Sequence, residues 1–215
     1  MIFSEEVATE VARLLLQIKA IKLQPSTPFT WASGIKSPIY CDNRKILSYP
    51  EIRTYVKSQL AVSIREKFEI PDVIAGVATG GIAHGALVAQ EMGLPFVYIR
   101  PNVKEHGLNN MIEGELAQGQ KVVIVEDLVS TGGSSLKAVA AVEKENCKVL
   151  GMTAIFTYGF DVAADNFQEA ECELVTLSNY DMLIDQALRE NYIEEKDFEL
   201  LQTWRKNPGW IKIET

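Results

Sequence analysis

The chain has no excess of positive charge, no long hydrophobic run and no cysteine-pairing pattern. A formal net charge of −8 argues against non-specific nucleic-acid binding, which needs Lys and Arg to displace counterions from phosphates. It does not argue against a phosphorylated small molecule, because screening limits charge effects to about 8 Å at physiological salt and the local balance in a pocket decides. No apolar run approaches the roughly 20 residues that cross a bilayer. The opening MIFSEEVATE carries acids where a secretory leader is basic and then apolar, so a cytoplasmic protein is expected. Cys41, Cys147 and Cys172 are odd in number and widely spaced, with no Cys-x-x-Cys pair, which leaves a disulfide framework or structural zinc without support. Repeats, low-complexity tracts and Pro/Gly/Ser linkers are also missing. The 215 residues, 47% hydrophobic and 23% charged, therefore read as a single domain over 1–215.

What is present is an alternation. Apolar residues at helical spacing predict an amphipathic helix over 5–21, and a second helix is predicted over 49–68. Between them, PSTPFTWASGIKSPIYCDN is rich in Pro, Ser and Gly, which predicts extended, turn-rich structure acting as a lid or hood. From residue 72 onward, the strand-like runs DVIAGV, PFVYIR, KVVIVE, VLGMTAIFT and ELVTL alternate with helical runs over 82–92, 134–145 and 160–169. That order predicts an α/β fold, an open parallel sheet flanked by helices. Ligands of such sheets bind beyond the carboxyl ends of the strands.

The strongest signal is KVVIVEDLVSTGGSSLKAV, residues 121–139. A continuous β-branched run fits a central strand covered on both faces. Glu126 and Asp127 follow it; alternation along a strand turns them to opposite sides, suited to the hydroxyls of a ribose, and they could hold Mg²⁺ through water. Ser130, Thr131, Gly132, Gly133 and Ser134 then supply hydroxyls and bare backbone where a helix begins, so several N–H groups can converge on one phosphate. The plainer reading is a polar turn with an N-cap. No G-x-G-x-x-G follows a strand, and GELAQGQK precedes its strand and lacks the P-loop ending.

This stretch resembles the signature of the type I phosphoribosyltransferases: four apolar residues, two acids, two apolar residues and a Thr/Ser-Gly turn. The resemblance implies binding of phosphoribosyl pyrophosphate with Mg²⁺, with Glu126 and Asp127 on the ribose, Leu128 and Val129 in the same binding run, and residues 130–134 on the 5-phosphate. The metal would be held mainly by substrate and water, Asp127 being the protein group able to touch it. Ala78, Thr79, Gly80 and Gly81, after DVIAGV, stand where the family has its pyrophosphate loop, often with a strained peptide bond; alone they read as an ordinary strand-to-helix turn. His84, one turn further, reads as a packing residue.

Residues 100–114, RPNVKEHGLNNMIEG, are too polar to pack and too irregular for a helix, and so predict a mobile loop. The Lys-x-His-Gly pattern there is similar to the catalytic loop of orotate phosphoribosyltransferases, which closes over the neighbouring subunit's site. FTWASGIKSPIYCDN resembles that family's hood, here about residues 1–45. The resemblance, covering roughly residues 1–190, implies a homodimer, with Arg100, Lys104 and His106 on phosphoribosyl pyrophosphate, and Lys104, His106 and Asp127 catalytic. It further implies orotate contacts from Ser130, Ser33 and Lys36, although Lys36 also reads as a solvated charge. Ala32, Gly80, Pro101 and Tyr158 depart from one bacterial pattern and remove four positive charges; a second branch, carrying FTW-x-SGIKSPIYCDNR, matches better. A purine phosphoribosyltransferase and a regulator that senses phosphoribosyl pyrophosphate are the rival readings. The tail with Trp204 and Trp210 yields no functional reading.

Overall fold

The computed structural model describes residues 1–30, 34, 36–101 and 111–208. Its centre is a sheet of strands β5 (Val73–Val77), β6 (Phe96–Ile99), β7 (Ile112–Glu113), β8 (Lys121–Val129), β9 (Lys148–Thr157) and β10 (Leu174–Asn179), in the order β10-β9-β8-β5-β6-β7. Neighbours pair in parallel except β7, which runs antiparallel to β6. The expected parallel sheet is therefore present, with one correction: Ile112 and Glu113, read as part of a loop, form its edge strand.

Alternation along the strands sends apolar residues to two separate cores. Ile74, Val123 and Val125 face one, with α1 (Glu5–Gln17), α2 (Pro50–Lys67), α3 (Gly80–Met92), α6 (Tyr180–Arg189) and α7 (Glu195–Lys206). Val73, Ala75, Val77, Val122 and Ile124 face the other, covered by α4 (Gly133–Lys144) and α5 (Asp161–Glu169). Burial on both faces is why β5 and β8 read as unbroken apolar runs. The first helix stops at Gln17, short of the predicted 21, because Lys19 takes a φ of 53° and Ile21 enters a strand.

The hood consists of two antiparallel ribbons, β1 (Ile21–Leu23) with β4 (Ile39–Cys41) and β2 (Phe29–Thr30) with β3 (Lys36–Ser37). A 3-10 helix, Asn43–Ser48, then leads to α2. No helix among the described residues is long and apolar enough to cross a membrane.

Candidate active site

Strand β8 outruns its neighbour. Its pairing with β5 ends at Val125, whereas its pairing with β9 continues to Val129 opposite Thr157. Glu126 and Asp127 thus lie within the strand, not after it as expected, and overhang the end of β5. Glu126 is buried: one carboxylate oxygen accepts from the Asp127 N–H at 3.0 Å and the other from Ser135 Oγ on α4 at 3.1 Å. Burial, and then the charge of Asp127, push its carboxyl well above the usual range. Asp127, half-buried, sends its carboxylate the other way, against Gly80 at the start of α3.

Two helix N-termini converge here. Helix α4 begins after Gly132, whose φ of 83° needs glycine, and whose absent Cβ would meet the Phe167 ring at 3.0 Å. Helix α3 begins after the cis Ala78–Thr79 peptide. Among the described α-helices, α3 and α4 alone have neither a side-chain cap nor an acid in the first turn. Ser4 caps α1, Asn179 caps α6, α7 has a capping box, and Glu51 and Asp161 sit in the first turns of α2 and α5. The exposed N–H groups and positive dipole ends of α3 and α4 are thereby left for an external anion. Thr131, Gly133 and Ser134 are exposed at the second of these sockets, and Thr79 at the first.

The other predicted residues fall less simply. Arg100 pairs with Glu113 at 3.2 Å. Lys36 donates to Thr30 Oγ1 at 2.7 Å, across the β2–β3 ribbon. Val129, assigned to the ligand-binding run, has its side chain in the core, and its carbonyl accepts from Tyr158 N–H and Thr157 Oγ1, both at 3.1 Å, which braces the bend. Ser33, Lys104 and His106 lie outside the described residues. His84 is buried as expected; burial lowers its pKa against the pull of Asp127, and its Nε2 has no hydrogen-bond partner among the described residues.

A model of the phosphoribosyl transferase domain matches residues 45–183. The orotate phosphoribosyltransferase of Phocaeicola vulgatus is 60% identical over 198 residues, covering 92% of this chain and 93% of its own. The chain belongs to the orotate phosphoribosyltransferase family. A crystal structure of the Aeropyrum pernix member has a TM-score of 0.75 at 23% identity, covering 86% of this chain and 99% of that one. Leishmania donovani UMP synthase has a TM-score of 0.77 at 24% identity, covering 92% of this chain but 42% of that one. Likeness at these identities extends to the fold alone.

Beside the bend of this phosphoribosyltransferase lies a cavity of about 230 Å³ lined by Tyr40, Cys41, Leu128, Ser130 and Tyr158. Ser130 and Leu128 belong to the predicted binding run; Tyr40 and Cys41 on β4, and Tyr158 just after β9, are distant from it in the chain, and no local pattern brings them to it. Two larger grooves, of about 760 and 730 Å³, run along α1 and include none of the glycine-rich turns, so size does not locate the site. Burial and the nearby Asp127 and Asp42 push the Cys41 thiol well up, the reverse of an activated nucleophile.

Sequence reasoning also missed Asn43. It is buried, donates through Nδ2 to the Asp127 carbonyl at 2.6 Å, and accepts from Cys41 Sγ at 3.3 Å. It joins the hood to the acid pair, a contact across 84 residues that spacing does not encode.

Proposed function

We propose that this enzyme transfers the 5-phosphoribosyl group of phosphoribosyl pyrophosphate to orotate, releasing pyrophosphate and forming orotidine 5′-phosphate for pyrimidine nucleotide synthesis. The observation that carries the chemistry is the pair of open helix N-termini flanking Asp127: two anion sockets, one at the end of β5 and one beyond β8, with a carboxylate between them. They suit the two phosphorylated ends of one sugar. The choice of orotate rests on the 60% identity over nearly the whole chain.

In this reading the start of α4, residues 130–134, receives the 5-phosphate, Asp127 and Glu126 meet the ribose hydroxyls, and residues 78–81 receive the pyrophosphate. The bond from C1 to the pyrophosphate oxygen breaks as the ring nitrogen of orotate bonds to C1 and gives up its proton to solvent. Positive charge develops on the ribose and negative charge on the leaving group, and stabilising that separation is the enzyme's main task. Lys104 neutralises the pyrophosphate and His106 donates a hydrogen bond or proton to it. The loop carrying them closes over the partner subunit of a homodimer and excludes water that would hydrolyse the sugar.

Mg²⁺ fits with limited help from the protein. The described residues contain no group of three or more His, Cys, Asp or Glu side chains able to hold a metal, and of the acid pair Asp127 is the less buried. A hard cation would thus be held by Asp127, water and substrate oxygens, and when bound it would offset the pyrophosphate charge. Three free cysteines suit a reducing, cytoplasmic compartment.

The test is pyrophosphate release from phosphoribosyl pyrophosphate and Mg²⁺ with orotate, adenine, guanine or no base. Orotate alone should elicit release. Release with a purine but not orotate would reassign the acceptor, and binding without turnover on any base would make the protein a sensor.

A further inference from the structure

The cavity lined by Tyr40, Cys41, Leu128, Ser130 and Tyr158 is where an acceptor touching Ser130 would lie, and the C-terminal helix α7 reaches both of its sides through one residue. Phe198, Leu201 and Trp204 form its apolar stripe, and Trp204 is the largest fully buried side chain described. Its indole Nε1–H crosses to the hood and donates to the Lys36 carbonyl on β3 at 3.2 Å. Its ring packs edge-on against Tyr158 and Phe160, with centroids 6.3 and 5.7 Å away, and tilted against Tyr180 at 5.7 Å. The next residue, Arg205, donates to the Gly159 carbonyl at 2.8 Å and pairs with Asp181 at 3.1 Å, which fastens α7 to the turn carrying Tyr158. Tyr158 in turn donates its N–H to Val129, next to Ser130.

The hood strand β3 leads through Pro38 into β4, which supplies Tyr40 and Cys41 to one side of the cavity; Tyr158, Ser130 and Leu128 supply the other. The indole holds both sides at once, by a directional hydrogen bond to one and by ring packing to the other. We infer that Trp204 is a positioning residue for the acceptor, setting the spacing between hood and floor in which a flat, anionic six-membered ring binds. The inference rests on the acceptor reading above.

Trp204→Phe retains an aromatic ring and removes the N–H. The apparent KM for orotate should rise about fivefold, the scale of one neutral hydrogen bond, while kcat and the KM for phosphoribosyl pyrophosphate stay within about twofold. A purely structural role would shift both Michaelis constants or neither, and either result overturns the inference. Should Trp204→Phe fail to fold, a chain carrying Trp31→Phe and Trp210→Phe leaves Trp204 as the sole indole. Its emission should then shift on adding orotate and not on adding ribose 5-phosphate; no shift with orotate overturns the inference. Lack of orotate-dependent turnover in the unsubstituted protein would instead refute the acceptor reading.

Discussion

Gly80→Ala should leave the protein folded and nearly inactive, with pyrophosphate release down on the order of hundredfold, the cost of misplacing a catalytic group by about 1 Å. A Cβ at Gly80 would collide with the Asp127 carboxylate, the far end of a side chain that can swing aside. The fold therefore bears little strain. The displaced carboxylate then leaves the position proposed to meet the ribose, and the new methyl group occupies the approach to the α3 N-terminus. Gly81→Ala provides the contrast one residue on. Its Cβ would lie 2.5 Å from the Val125 carbonyl, backbone of the central strand, which cannot yield. Overpacking of this kind costs about 1–3 kcal/mol, and near 200 residues each kcal/mol lowers the melting temperature by about 2–4 °C. Steady-state rates and thermal melts on the two variants check the pair. A Gly80→Ala enzyme within a few-fold of the parent would mean that Asp127 does not act from its observed place.

Glu126→Gln should trade activity for stability. The Glu126 carboxyl is buried beside Asp127 and titrates well above the ordinary value of 4.5. A raised folded-state pKa gives stability that is fully present below the unfolded value and lost as pH rises toward the folded one, because the native state then retains a proton that the unfolded chain gives up. Between those limits the parent should lose up to about 1.4 kcal/mol per pH unit from this group. The neutral amide removes the loss; its oxygen can still accept from the Asp127 N–H, and its NH₂ group can donate to Ser135 Oγ. The stability gap between variant and parent should therefore widen above pH 4.5, while turnover falls about tenfold or more as a ribose contact weakens. Melts across pH decide it. A gap that stays flat, or a variant less stable than the parent at neutral pH, would show that Glu126 bears no desolvation penalty.

What was legible in the chain was local. Continuous apolar runs located the five parallel strands, because burial on both sheet faces leaves them unbroken, and helical spacing located most helices. The acid pair and the hydroxyl-glycine bend stood out for the same reason: strand, turn and helix start are contiguous. The end of β8 is not legible, since Glu126 and Asp127 look like a terminus although pairing with β9 carries the strand to Val129. Ile112 and Glu113 were too short a run to separate from a loop. The acceptor cavity, the Asn43 bridge and the Trp204 contact were not legible, because each joins residues far apart in sequence: 84 positions separate Asn43 from Asp127, and 168 separate Lys36 from Trp204.

The proposed transfer depends most on the bend at residues 130–134. A crystal of the protein with ribose 5-phosphate should show the phosphate within hydrogen-bond distance of backbone N–H groups at the start of α4, with the sugar hydroxyls toward Asp127. A phosphate bound anywhere else, with that bend unoccupied, would contradict it.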